Sequence, residues 1–124
     1  MKYFLFKKKS NIHGIGAFSR SEIGKGSVFY IIPIKNIFNH PEAKCAYIGK
    51  NRWVSDKNIL NFINHSCNPK SILKIRKEPV LVARRKINTG EEITLDYNKT
   101  ENDGKKVPCS CGEKKCKGYF LRIE

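Results

Sequence analysis

No stretch of this chain carries the apolar repeat of a long amphipathic helix, while short runs rich in β-branched and aromatic residues recur between glycine-bearing turns. That pattern confines the fold to a mainly β domain built from many short strands. Residues 2–6 read as a first strand and residues 17–20 as a second. Ser27 to Ile34 form the clearest strand of the first half, with Pro33 placing its end at an edge. Asn11-Ile12-His13-Gly14-Ile15-Gly16 and Ile23-Gly24-Lys25-Gly26 supply turn chemistry between them. Further strands are expected at 71–76 and 80–85, joined at Lys77-Glu78-Pro79, and over Ile93 to Tyr97 after a turn at Asn88-Thr89-Gly90. Residues 35–57 offer little pattern beyond a helical turn after Pro41, and residues 59–63 are largely apolar. The polar stretch from Thr100 to Lys106 reads as a mobile linker.

A length of 124 residues bounds the chain to one domain, without room for a second independent core. No run approaches the ~20 apolar residues needed to span a bilayer. Met1 to Phe6, followed by Lys7, Lys8 and Lys9, is too short in its apolar part for a secretory signal. A cytoplasmic or nuclear protein away from membranes is therefore expected. The net charge of +14 would attract a polyanion such as nucleic acid, yet the abundance of Lys, Ile and Asn is also what AT-rich coding sequence produces. The lysines are spread along the chain, so charge alone decides nothing. Of five cysteines, Cys109, Cys111 and Cys116 fall within eight residues near the end, and Cys45 and Cys67 stand apart. In a reducing compartment such a cluster favours a metal over disulfides, and Cys45 reads as a small apolar filler.

The string Asn64-His65-Ser66-Cys67-Asn68-Pro69 follows directly on the apolar residues 59–63. Polar groups entering a core need partners, which points to a built site rather than a surface loop. Further on stand Gly90-Glu91-Glu92-Ile93-Thr94-Leu95-Asp96-Tyr97 and then Cys109-Ser110-Cys111-Gly112 with Cys116. In this order and spacing these segments resemble the SET-domain protein lysine methyltransferases. The family pattern G-N-x-x-R-F-I-N-H-S-C-x-P-N is met from Lys57 to Lys70 by Asn58, Phe62, Ile63, Asn64, His65, Ser66, Cys67 and Pro69. The pattern R-x-I-x-x-G-E-E-L-T-x-D-Y is met from Arg85 through Tyr97, with Ile93 in place of leucine. Gly14-Ile15-Gly16 matches the family's opening G-x-G, and the three terminal cysteines followed by Lys117-Gly118-Tyr119 resemble the zinc-binding post-SET segment.

The resemblance covers the chain from about residue 12 onward. It implies a SET-domain (β-clip) fold of several small sheets with a pseudoknot-like core over residues 1–100, and a post-SET zinc-binding tail over 101–124. The Asn64–Cys67 segment would thread past the end of the strand carrying Tyr97. The family's cofactor is S-adenosylmethionine, which the resemblance assigns to Gly14, Ile15, Gly16, Asn64, His65 and Tyr97, with Tyr119 against the adenine or the substrate channel. Tyr97 and His65 are the implied catalytic residues. Structural zinc would be held by Cys67, Cys109, Cys111 and Cys116.

The implied reaction is transfer of methyl groups to lysine side chains of a protein substrate, such as a histone or another basic DNA-packaging protein. Methyl transfer is an in-line displacement, so alignment is the enzyme's main work, and a phenolic oxygen can hold the methyl through weak C–H···O contacts. The lysine must be neutral, although its unperturbed pKa is about 10.4. A desolvated channel beside a sulfonium lowers that value without a dedicated base. Leu95 stands where the family has phenylalanine or tyrosine, which predicts addition of more than one methyl. Glu91 and Glu92 project to opposite faces of a strand and are expected to be structural. Asn61 replaces the family's arginine, Lys70 its asparagine, and Ile32 a strand tyrosine, with Tyr30 nearby on a shifted register. These departures bear on substrate recognition more than on the chemistry. The alternative is a non-catalytic module for nucleic acid or protein that uses the basic surface, and methylation of a small molecule or another side chain is a further rival.

Overall fold

The computed structural model describes residues 4–40, 46–96, 105–109 and 116–122. Short strands dominate: β1 (Leu5–Lys9), β2 (Ile15–Ser19), β3 (Val28–Ile31), β4 (Ile37–Phe38), β5 (Ala46–Gly49), β6 (Arg52–Val54), β7 (Asn64–His65), β8 (Ser71–Lys74), β9 (Val80–Ala83), β10 (Thr94–Leu95), β11 (Lys105–Pro108) and β12 (Tyr119–Arg122). They assemble into two-stranded pairs β1–β2, β7–β10 and β11–β12 and into three-stranded sheets β3-β9-β8 and β4-β6-β5. Three-residue 3-10 turns at Ile34–Asn36 and Leu60–Phe62 are the helical elements among the described residues, and no helix there is long and apolar enough to cross a membrane. The mainly β expectation holds.

Boundaries differ where a partner strand, not local composition, decides. β1 runs on through Lys7, Lys8 and Lys9 because β2 pairs with it over that length, Phe6 opposite Phe18 and Lys8 opposite Gly16. The two rings stack at 5.7 Å, and the Lys8 ammonium lies 4.5 Å over Phe18, with the alkyl stem on aromatic surface. Residues 35–57 hold three strands that no periodicity announces. They are organised by Trp53, which is paired with Phe38 on one side and Tyr47 on the other. Lys50 and Asn51, both left-handed at φ 53° and 55°, make the tight turn between β5 and β6. The helical turn expected after Pro41 lies outside the described residues, as does Cys45. Lys105 and Lys106, the end of the expected linker, instead open β11, which pairs antiparallel with β12. The pairing is set by the backbone of β12, so no local pattern announces it.

The core is aliphatic: Ile23, Ile32, Val54, Ile63, Leu81, Ile87 and Ile93 are fully buried. Each such side chain contributes roughly 1.5–3 kcal/mol on leaving water. Ile32, at the family's tyrosine position, is therefore a packing residue. Tyr30 takes up a polar role in the next layer, its hydroxyl donating to Asp56 Oδ2 at 2.9 Å. Burial first, then this bond and the Asp56 charge, push its phenol up to about 12.

Asp56 is buried and organises the approach to the Asn64 segment. Besides Tyr30, its carboxylate accepts from Asn36 Nδ2 at 3.2 Å and from the backbone N–H groups of Ile59 and Leu60 at 2.9 Å each. The last two are amides at the start of a helical turn with no intrahelical acceptor. Asn61 completes the knot, accepting from the Asp56 N–H at 3.0 Å and donating to Ser55 Oγ at 3.1 Å. Replacing Asp56 with alanine would strand two buried N–H groups, and we expect a loss of about 2–4 kcal/mol in urea unfolding.

Candidate active site

The polar string after residue 63 becomes β7, a two-residue strand paired in parallel with β10, Asn64 beside Thr94 and His65 beside Leu95. Ser66 N–H prolongs the ladder to Leu95 O at 2.9 Å. A parallel pair requires a long crossover, supplied here by residues 66–93 with the β8–β9 hairpin. That hairpin is tied back by Ser71 Oγ donating to Thr94 O at 2.7 Å and Lys70 N–H donating to Thr94 Oγ1 at 3.0 Å. Residues 90–93 also run beside β2, with Gly90 N–H on Ser19 O at 2.7 Å and Ile93 N–H on Ala17 O at 2.8 Å. Three segments distant in sequence therefore meet, forming the crossing at the heart of the fold.

The glycine loop is closed by Ser10 N–H donating to Gly14 O at 2.8 Å. Gly14 has φ +47°, and nothing lies within 4 Å of where a side chain would begin, so this face is open to a ligand. Ile15 is exposed beside it. Gly16 answers to a neighbour inside the chain: a Cβ there would stand 2.9 Å from the carboxyl carbon of Glu92. Asn64, buried, donates its Nδ2 to His13 O and to Glu92 Oε2, both at 2.9 Å. The Gly loop, the Asn-His pair and the second glutamate are thereby joined directly.

His65 is 2% exposed. Its Nε2 lies 3.3 Å from Cys67 Sγ and its Nδ1 3.7 Å from Asp96 Oδ1. Burial holds its pKa below the usual imidazole value; Asp96 opposes that and Lys117 adds to it. Cys67 Sγ stands 4.0 Å from Cys109 Sγ and 3.9 Å from Cys116 Sγ. A tetrahedron with metal–sulfur bonds of about 2.3 Å has edges of about 3.8 Å, so these spacings suit a thiolate metal site. The ligand atoms of His65, Cys67 and Cys109 also lie within 4.8 Å of one another. Backbone N–H groups of Lys117 and Gly118 donate to Cys67 and Cys116 Sγ at 3.3 Å each, favouring the charged sulfur. The tail is further registered by Cys109 N–H on Gly118 O at 3.1 Å.

Of the sequence-predicted residues, Gly16 and Asn64 meet at Glu92, with Asn64 also tied to the loop at His13, whereas the His65 side chain sits with Cys67, Cys109 and Asp96 and Cys67 is close to Cys116. Tyr119 is half-buried at the start of β12, opposite Pro108. Tyr97 and Cys111 lie outside the described residues. Leu95 is buried and borders a cavity of about 260 Å³ with Cys67, Ser71, Leu73, Arg84 and Asp96. Sequence reasoning missed Ser10, whose hydroxyl accepts the N–H of Ile12 at 2.9 Å and of His13 at 3.3 Å. A serine opening a glycine loop is a recognised local turn signal.

The SET domain family model matches residues 14–98. A Plasmodium falciparum protein whose name makes it a histone-lysine N-methyltransferase is 35% identical over 140 aligned residues, covering 92% of this chain and 2% of its own length. The H3 lysine-4 specific histone-lysine N-methyltransferase of Schizosaccharomyces pombe is 45% identical over 68 residues, 51% of this chain and 7% of its own. The chain thus spans a small part of the relatives it matches. The solved methyltransferase domain of human histone-lysine N-methyltransferase SETMAR superposes with a TM-score of 0.73 at 18% identity, over 98% of this chain and 59% of that one, a likeness of fold.

Glu91 faces away from Glu92 and pairs with Lys70 at 2.9 Å. Burial alone would raise its carboxyl pKa. The Lys70 hydrogen bond, the Asn88 N–H and the charges of Lys70 and Arg85 outweigh that and hold it below the usual range. The pair therefore adds stability above the unfolded carboxyl pKa of about 4.3, and this is lost as pH falls through the lower folded value. Lys70→Met should cost up to about 1 kcal/mol in unfolding at pH 7 and nothing measurable at pH 2.

Proposed function

This chain belongs to the SET-domain family, and from that premise we propose that it transfers methyl groups from S-adenosylmethionine to lysine side chains of a protein substrate. The observation that carries the reading is the meeting of the glycine loop, Asn64 and Glu92, held together by the parallel pairing of Asn64-His65 with Thr94-Leu95. Relatives named as histone-lysine N-methyltransferases support a histone or another basic chromatin protein as substrate, and a nuclear place of action. We extend the reading to nucleic acid accompanying such a substrate, which the net charge of +14 would attract.

Bound S-adenosylmethionine supplies an electrophilic methyl on a sulfonium sulfur. The open side of Gly14 and the backbone at Ile15 and Gly16 would receive it, with Asn64 giving polar contact and His65 forming the buried floor. Tyr97 follows Asp96 directly, and its phenolic oxygen is assigned to holding the methyl in line through C–H···O contacts. To accept that methyl the substrate amine would have to be neutral, and desolvation with the nearby positive charge would keep it so. Leu95 leaves room beside the amine that an aromatic hydroxyl would fill, so repeated methylation is expected. Tyr119 is assigned to closing the cofactor side.

Transfer of labelled methyl onto histones, followed by mass spectrometry, tests this. Wild-type chain should yield di- or trimethyl-lysine, and Tyr97→Phe should lower kcat at least about 100-fold, in the range expected for loss of a transition-state contact. Failure of the wild type to bind S-adenosylmethionine would reject the reading.

Zinc is the metal we assign to the sulfur cluster, with Cys67, Cys109, Cys111 and Cys116 as its ligands. In that arrangement metal binding would contribute to folding of the tail. Elemental analysis should find one zinc per chain, lost in Cys67→Ser. Chelation should lower the thermal midpoint of the wild type and leave that of Cys67→Ser unchanged.

A further inference from the structure

Glu92 has no chemical role in the reading above, yet its carboxylate stands at the junction of Ser10, Gly16 and Asn64. It occupies the space that the missing side chain of Gly16 leaves free. Its oxygens accept from Ser10 Oγ at 2.7 and 2.9 Å and from Asn64 Nδ2 at 2.9 Å. Ser10, through its hydroxyl and its own N–H, in turn holds the Ile12, His13 and Gly14 backbone. The backbone at Glu92 is fixed independently, bridged to Phe18 of β2.

The consequence falls on Asn64. A side-chain amide carries two N–H donors and one acceptor oxygen. Both donors are engaged inside the protein, one by the carboxylate and one by the His13 carbonyl. Rotating the amide by half a turn would place its oxygen against two other acceptors, with no proton between them. The orientation is therefore locked, and Oδ1 is turned away from both acceptors. We propose that Glu92 is a positioning residue of the cofactor site, locking the Asn64 amide so that its oxygen is presented to a hydrogen-bond donor of S-adenosylmethionine. The inference rests on the proposed cofactor. It explains why the second glycine of the loop and the second glutamate of the distant strand belong together: any side chain at residue 16 displaces the carboxylate.

Glu92→Gln keeps size and replaces an acceptor oxygen with a donor. In the unliganded variant the Asn64 side-chain amide protons should lose protection from solvent exchange in NMR spectra. Affinity for S-adenosylmethionine, by calorimetry, should fall about tenfold or more, and KM for it should rise by a similar factor while kcat stays within about twofold of wild type. Glu92→Asp, with the acceptor on a shorter arm, should lose less. The double variant Gly16→Ala/Glu92→Ala separates positioning from space-filling, because the added methyl enters the volume the carboxylate leaves. Recovery of thermal midpoint without recovery of affinity is the expected result. Recovered affinity in the double variant, or Glu92→Gln affinity within twofold of wild type, overturns the proposal. A wild type that binds no S-adenosylmethionine overturns the enzyme reading and this inference with it, whereas unchanged Asn64 protection in Glu92→Gln overturns the inference alone.

Discussion

The parallel pairing of Asn64-His65 with Thr94-Leu95 is the constraint on which the rest of this molecule depends. A two-residue ladder has no stability of its own, and parallel pairing needs a long crossover whose closure entropy must be offset elsewhere. The offset comes from Ile63, Ile93 and Leu95, buried on either side of it, and from the hydrogen bonds of Ser71 and Lys70 that pin the intervening hairpin to Thr94. Asp56 contributes from the other direction by fixing the turn that delivers the chain into β7. The site is thus held by backbone pairing within a rigid aliphatic shell, the condition for keeping polar groups oriented in a low-dielectric interior.

The same short strand couples two sites. His65 packs between the Asp96 carboxylate and Cys67, and Cys67 lies at the centre of the sulfur cluster that the tail completes. Cys67 therefore belongs to both the crossing and the tail. Any event that orders the sulfurs also orders the chain three residues from Asn64. In so small a domain, where apolar burial is limited, such a contribution to the tail carries weight.

Much of this was legible in sequence, and for identifiable reasons. β2, β3, β8 and β9 show as β-rich runs, because half-buried pleats select β-branched and aromatic side chains. The Asn64–Cys67 string stands out because polar groups at the mouth of an apolar run demand partners. β4, β5 and β6 do not show, since their order comes from pairing on either side of Trp53, and β11 does not, since its strand state is imposed by β12. The lysines of β1 conceal a strand for the same reason: polar heads satisfy solvent while the backbone answers to a distant partner. Glu92 was legible as structural, but its partners Ser10 and Asn64, 82 and 28 residues away, were not.

By itself, then, the sequence determined the short-stranded architecture, because periodicity and turn chemistry are local properties, and the resemblance of its motifs to one family named the residue types the site requires. Tertiary structure alone decided which groups face one another. Only it could put the Glu92 carboxylate into the space above Gly16, orient the Asn64 amide, set Asp96 beside His65 and bring Cys67 within 4.0 Å of Cys109. Those are distances between segments far apart in the chain. They are fixed by how small sheets pack around one aliphatic core, a result of summed burial and hydrogen-bond satisfaction that no single segment encodes.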